Sequence, residues 1–246
     1  MPGDVLAVGE EFSYDKLATQ GWHAAGLPRT RVALRLMAAL RIHDLLDVGC
    51  GDGDVTAEIR SLTGARVTGV DVSEVAVESS KRRGLEAYCV NVNDNALPFD
   101  DESFDVVYLA EVIEHLVRPD HALREIRRVL RPGGHLIVST PNLACLPNRI
   151  LLAVGLQPLF SEVSEEVVLG RGARGLGQNG APVGHLRLYT RRGLVETLQL
   201  HKFEPVEILG AAFSDDRLGI LQRAVSRVPS LALILVVLAQ KNDSNQ

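Results

Sequence analysis

Residues Leu45 to Gly53 read LLDVGCGDG, an apolar run of strand length that ends directly in glycines at alternate positions. At the carboxyl end of a first parallel strand, residues without a Cβ let a ligand approach the backbone closely. The G-x-G-x-G spacing departs from the G-x-G-x-x-G turn of dinucleotide folds. Asp52 and Asp54 would also repel a pyrophosphate at the N-terminus of the following helix. The pattern favours a cationic or zwitterionic nucleoside over an anionic dinucleotide.

Working outward, apolar runs recur at Val67–Val70, Ala87–Val90, Val106–Leu109 and His135–Ser139. Helix-like stretches, Val55–Leu62, Glu74–Arg83 and His121–Leu130, separate most of them. This alternation predicts βαβ units and an α/β fold with a mainly parallel sheet. Arg131-Pro132-Gly133-Gly134 ends a helix and turns into the next strand. Upstream, residues 10–40 read as helical, with Pro28 near a helix start. Downstream, Arg191–Leu200 reads as a helix, and Val206–Leu209 and Leu231–Ala239 as two last strands.

Pro141 to about Gly184 breaks the rhythm, with apolar Ile150–Leu159 followed by six glycines, Gly170, Gly172, Gly175, Gly177, Gly180 and Gly184. It reads as an insertion, a short helix and a loop over the sheet edge; a plain linker is the alternative.

The second strand ends at Asp71, in TGVDVS. A carboxylate there can accept hydrogen bonds from both ribose hydroxyls of a nucleoside lying across the strand tips. Ser73, two residues on, is the better helix cap.

The 246 residues fit one large domain, with ordinary apolar (46%) and charged (23%) fractions. A net charge of −5 argues against a general nucleic-acid binder. Arg124, Arg127, Arg128 and Arg131, beside Glu125, read as a solvated helix face. Cys50, Cys89 and Cys145 show no paired spacing, which points to a reducing, cytoplasmic setting. The N-terminus lacks the features of a signal peptide, and the apolar run Leu231–Ala239 is only nine residues, too short to span a membrane as a helix.

AEVIEHL, Ala110 to Leu116, places two carboxylates and an imidazole within five positions. If a helix starts at Glu111, the i, i+3, i+4 spacing puts Glu111, Glu114 and His115 on one face. Groups so close strain each other's ionisation unless a cation is shared or water screens them.

LLDVGCGDG, GVDVS, LPFDDESFDVVYLAEVIEHL and LRPGGHLIVSTPN resemble, in order, the signature motifs of class I S-adenosylmethionine-dependent methyltransferases of the type 11/12 kind. The resemblance covers roughly residues 43–142, and HLRLYTRRGLVETL extends it. It implies a Rossmann-like, seven-stranded, mainly parallel sheet with helices on both faces and an antiparallel last strand. It divides the chain into a helical cap, 1–40, and a methyltransferase domain, 41–246, with a lid-like insertion at about 143–184.

The resemblance sets the methionine part of S-adenosylmethionine against Gly49, Cys50 and Gly51, with Gly53 closing the turn. Asp47 resembles the acid that helps hold the amino group; Asp71, followed by Val72, resembles the ribose acid. The adenine falls at Asn91-Val92-Asn93-Asp94. This chain has Asn91 where the family commonly has an acid, so either Asn91 or Asp94 meets the adenine amine. Leu109 and Ala110 resemble the backbone positions beneath the sulfonium. Tyr14, Trp22 and His23 could cover the cofactor or simply pack on the sheet. Arg29 and Arg31 could pair with its carboxylate or lie exposed.

The E-V-I-E-H arrangement is similar to that of ubiquinone-biosynthesis O-methyltransferases and of small-RNA 3′-end 2′-O-methyltransferases. Both imply a divalent ion, Mg²⁺, Mn²⁺ or Zn²⁺, held here by Glu111, Glu114 and His115, and the second group also draws a downstream histidine, here His185, as a fourth ligand. The competing reading makes His115, beside Glu111, a metal-free base or positioning group. The expected reaction is methylation of a small-molecule hydroxyl (phenol, sugar or secondary metabolite). An RNA 2′-hydroxyl and a non-catalytic cofactor-binding protein are the alternatives.

Overall fold

The computed structural model describes residues 26–173, 176–213, 222 and 224–242. Tyr14, Trp22, His23 and most of the expected 1–40 cap lie outside them. Helix α1 (Pro28–Met37) begins on Pro28, whose fixed φ suits a first helical position.

There follow β1 (Asp44–Val48), α2 (Asp54–Thr63), β2 (Arg66–Asp71), α3 (Glu74–Arg82), β3 (Glu86–Cys89) and β4 (Phe104–Ala110). Then come a 3₁₀ turn (Ile113–His115), α4 (Pro119–Val129), β5 (Leu130–Pro141) and α5 (Leu146–Ala153). Helix α6 (Arg191–Leu200), β6 (Phe203–Ala211) and β7 (Ile234–Lys241) complete the described chain.

The seven strands lie in the order β3-β2-β1-β4-β5-β7-β6. β1 to β5 run parallel, and β7 is antiparallel to both its neighbours, β5 and β6. This is the expected sheet. The last strand starts three residues later than the apolar run, because a short 3₁₀ turn at Pro229–Leu231 comes first. The Arg131–Gly134 segment belongs to β5, where it forms an irregularity between the Leu130 and His135 pairings.

Strand side chains alternate between two buried faces. Leu46, Val48, Val107, Leu109, Leu136 and Val138 pack with Leu123 and Ile126 of α4 and Leu194 and Leu198 of α6. Leu45, Val67, Val106, Tyr108 and Ile137 pack with Ala33, Leu36 and Met37 of α1 and Ile59 of α2. Helices on both faces follow from that alternation. Each fully buried aliphatic side chain contributes roughly 1.5–3 kcal/mol.

Strand order reverses beside β1, which pairs with β2 on one side and β4 on the other. Such a reversal opens a crevice outside the carboxyl ends of the strands. Among the described residues, no helix is long and apolar enough to cross a membrane.

The four arginines expected on one solvated helix face do not form one: Arg124, Arg127 and Arg128 lie in α4 and Arg131 lies in β5. Arg128 binds Glu125 and Asp101, and Arg131 binds Asp44 and Asp105. Arg124 and Arg127 instead line an open groove of about 770 Å³ with Arg118 and Lys202.

Candidate active site

At the end of β1 the chain turns through Gly49, Gly51 and Gly53, with φ of 83°, 54° and 82°. Only residues without a Cβ take that backbone readily. Gly49 and Cys50 donate their amides to the Val70 carbonyl, at 2.8 and 3.1 Å, tying the turn to β2. A Cβ on Gly49 would run into the Val112 side chain, whereas one on Gly51 would meet nothing within 4 Å. The turn is therefore packed from below at Gly49 and open at Gly51.

Asp71 stands at the tip of β2. Its carboxylate accepts from the Gly51 amide and the Ser73 amide, each at 2.9 Å. Ser73 caps α3 through the Ala76 amide, as its position after Asp71 predicts. A carboxylate oxygen accepts more than one hydrogen bond, so Asp71 can brace the turn and still receive ribose hydroxyls.

Asp47 is 3% exposed and takes a 2.6 Å bond from the Thr56 hydroxyl. Burial pushes its carboxyl up to about 7; the Asp71 charge adds to this and the Thr56 bond opposes it. A cationic amino group beside it would reverse that shift. Asp52 and Asp54 both face Arg83, at 2.9 and 3.7 Å, so the repulsion expected of them is partly neutralised.

On the adenine side, the Asn91 side-chain oxygen accepts from the Asn93 amide, and Asp94 pairs with Arg118 at 3.1 Å on the surface. Val72 is exposed and Val92 half-buried. Leu109 is fully buried in β4, and Ala110 ends that strand half-buried.

The helix expected from Glu111 does not form. Glu111 takes a left-handed φ of 55°, and only the short 3₁₀ turn Ile113–His115 follows. The reversal turns Glu111 away from its sequence neighbours. Its amide donates to the Ser139 carbonyl (3.0 Å), and its carboxylate accepts from the Ser139 hydroxyl (2.8 Å). The other carboxylate oxygen lies 3.6 Å from Arg29 Nε. Arg29 is not a surface residue: its side chain is 11% exposed, and its Nη1 is buried with no hydrogen-bond partner among the described residues.

Glu114 is fully buried and accepts from the Thr140 hydroxyl at 2.9 Å. Its Oε1 has no partner among the described residues. Burial first, then the Glu111 charge, pushes its carboxyl well above the usual carboxylate range. His115 Nδ1 lies 3.0 Å from the Gly184 carbonyl and His185 Nδ1 lies 2.9 Å from the Phe160 carbonyl. A carbonyl only accepts, so Nδ1 is the protonated nitrogen of each ring and Nε2 carries the lone pair of the neutral form. The rings sit 4.9 Å apart. One ligand atom from each of Glu114, His115 and His185 falls within 4.8 Å of the others.

Glu111 is not part of that group, so three of the four residues expected together come together. The inserted segment delivers His185, as its position after the glycines suggested, but the segment is no plain linker. Gln157 and Gly170 are joined by a backbone bond, as are Val168 and Asn179.

Burial, then the His185 charge, lowers the His115 pKa to about 4. An unfolded histidine titrates near 6.5, so between about 6.5 and 4 the unfolded chain binds the extra proton. Stability from this group is complete above about 6.5 and falls as the pH drops toward 4. Thermal melts of the wild type should lose stability across that window, by at most about 3 kcal/mol. His115→Gln should flatten the profile there.

Residues 46–138 match the family described as "Methyltransferase domain". The 27-O-demethylrifamycin SV methyltransferase of Amycolatopsis mediterranei (strain S699) is 40% identical over 119 residues, 44% of this chain and 43% of that protein. The ubiquinone biosynthesis O-methyltransferase of Alkalilimnicola ehrlichii is 31% identical over 147 residues, 54% of this chain and 59% of that protein. The chain thus spans between about two fifths and three fifths of these curated relatives.

In the complex between the Haloferax volcanii Trm112 methyltransferase activator and a methyltransferase, one chain superposes with a TM-score of 0.65 at 18% identity. The match covers 94% of this chain and 98% of that one. At that identity it speaks for the fold alone. Residues 46–138 thus match a methyltransferase domain, and the sheet order and the glycine turn with its acid are those that the resemblance to class I S-adenosylmethionine-dependent methyltransferases implies.

Proposed function

We propose that the chain transfers a methyl group from S-adenosylmethionine to a hydroxyl oxygen of a small molecule. The observation that carries the cofactor is the open space over Gly51 beside Asp71. A zwitterionic nucleoside suits this cradle: Asp71 for the ribose, Asp47 near the amino group, Arg29 for the carboxylate. When bound, the cofactor supplies an electrophilic methyl on its sulfonium. The protein's contribution is largely alignment of the acceptor oxygen with that methyl. Oxygen as the acceptor draws support from two relatives whose names specify O-methylation or an O-demethylated substrate.

Arg29→Ala should weaken S-adenosylmethionine binding about 10- to 100-fold, since a charge-assisted bond contributes about 1.5–3 kcal/mol. Calorimetry checks it, and Arg29→Lys should recover part of the loss. An unchanged affinity would remove Arg29 from the cofactor site.

A second reading, in which a divalent ion assists, is favoured over His115 as a lone base. A lone base needs no companions, yet one ligand atom each of Glu114, His115 and His185 lies within 4.8 Å of the others. The residues fit an ion: a buried carboxylate oxygen without a partner among the described residues and two imidazoles oriented by carbonyls at Nδ1. Glu114, His115 and His185 would hold Mg²⁺, Mn²⁺ or Zn²⁺, and the ion would lower the pKa of an acceptor hydroxyl. Glu111, braced by Ser139 and Arg29, would shape the wall next to the methyl rather than bind the ion.

Calorimetry with S-adenosylhomocysteine, followed by a methyl-transfer screen over phenols, sugars, amines and a short oligoribonucleotide, tests the proposal. No cofactor binding sinks it; product methylated only on nitrogen, carbon or RNA corrects the acceptor. Activity indifferent to exhaustive chelation removes the ion.

A further inference from the structure

One half-buried constellation outside these assignments organises the histidine pair. Glu162, in the inserted segment, gathers three successive amides on one carboxylate. Val183 donates to Oε1 at 2.7 Å, and Gly184 and His185 donate to Oε2 at 2.8 and 3.1 Å. Gly184 makes this bend possible with a φ of 82°.

The bend has two consequences. It places the His185 backbone, and it aims the Gly184 carbonyl at His115 Nδ1, 3.0 Å away. Two residues before Glu162, Phe160 takes a left-handed φ of 67°, uncommon for a bulky side chain. That conformation turns its carbonyl to His185 Nδ1, at 2.9 Å. Such backbone persists only where its surroundings hold it. Just beyond, the Leu186 and Arg187 amides both donate to the Glu114 carbonyl, at 2.9 and 3.0 Å. Both imidazoles are thus oriented by carbonyls of the inserted segment, and Glu162 holds the loop that carries one of them.

We propose that Glu162 is a positioning residue that sets the tautomer and orientation of His115 and His185, so that the inserted segment is a working part of the site and not merely a cover. The inference deepens the reading of Glu114, His115 and His185 as a metal-binding cluster and rests on it for its purpose, but its own test does not require a metal. Removing the carboxylate leaves three clustered amides without their common acceptor, and the Gly184–His185 bend relaxes. Glu162→Gln keeps one oxygen, enough for the Gly184 and His185 amides, and loses the bond to Val183.

The experiment uses the full chain and long-range ¹H–¹⁵N correlation of the imidazole nitrogens at neutral pH, then calorimetric titration with Zn²⁺. Wild type should show Nδ1–H rings at both histidines, and Glu162→Ala should replace this with averaged nitrogen shifts. Zn²⁺ affinity should fall about 10- to 100-fold in Glu162→Ala, the range typical of groups that orient ligands, and less in Glu162→Gln. Glu165→Gln, an exposed acid three residues away, should change neither.

Imidazole shifts of Glu162→Ala identical to wild type would overturn the proposal. If Glu162→Ala does not fold, the same comparison is made with Glu162→Met, which keeps the volume but offers the three amides no carboxylate, and identical shifts there overturn it too. Should wild type bind no Zn²⁺ while its nitrogen shifts respond to Glu162→Ala, the positioning role stands and the metal reading fails.

Discussion

Asp71→Ala should lower the affinity for S-adenosylmethionine by about two to four orders of magnitude in calorimetry. Two ribose hydroxyls on one carboxylate make two charge-assisted hydrogen bonds, each contributing about 1.5–3 kcal/mol. The same carboxylate holds the Gly51 amide, so its loss also loosens the open part of the glycine turn. Helix α3 should survive, because Ser73 caps it with its own hydroxyl. Asp71→Asn separates the two contributions: the amide oxygen can still brace a backbone amide, but the charge is gone. An intermediate loss is expected. Full affinity in Asp71→Ala would refute the ribose assignment.

Glu114→Gln should produce two opposed effects. Zn²⁺ affinity should fall by about 100-fold or more, since even residues that only orient ligands cost 10- to 100-fold. The melting temperature should stay level or rise. In the absence of an ion, the fold bears a buried carboxyl beside Glu111 with one oxygen lacking a partner among the described residues. A neutral amide of the same size keeps an acceptor for Thr140 and removes the cost of burying charge. Unchanged Zn²⁺ affinity would exclude Glu114 as a ligand. A loss of stability above about 3 kcal/mol would instead assign the carboxylate a structural role.

These residues show why the fold was more legible than the site. Each strand was marked by local chemistry: Leu45–Val48 by its apolar run, Asp71 by its place at a strand tip, Ser73 by its cap. Glu111 had no such marker. Its left-handed φ breaks the helical spacing that would have aligned it with Glu114 and His115, and its partners, Ser139 and Arg29, come from β5 and α1. Arg29 looked like any surface arginine, because burial is set by what packs over a residue. Ser139 and Thr140 lay inside a quoted motif, VSTPN, yet only the β4–β5 pairing brings them beside the two acids. Glu162 carried no signal at all, one acid among several in SEVSEE.

By itself, then, the sequence determined the alternation of strands and helices, the glycine turn with Asp71, and the candidacy of Glu114, His115 and His185. The first two depend on periodicity and on residues a few positions apart, whereas the candidacy of Glu114, His115 and His185 follows from the resemblance of the E-V-I-E-H arrangement and its downstream histidine. Only the tertiary structure decided that Glu111 leaves the histidine group, that Arg29 is buried against it, and that Glu162 sets the loop bearing His185. These depend on single backbone angles and on contacts between segments far apart in the chain. Small local rotations, such as those at Glu111 and Phe160, redirect whole side chains there, and no spacing rule encodes them.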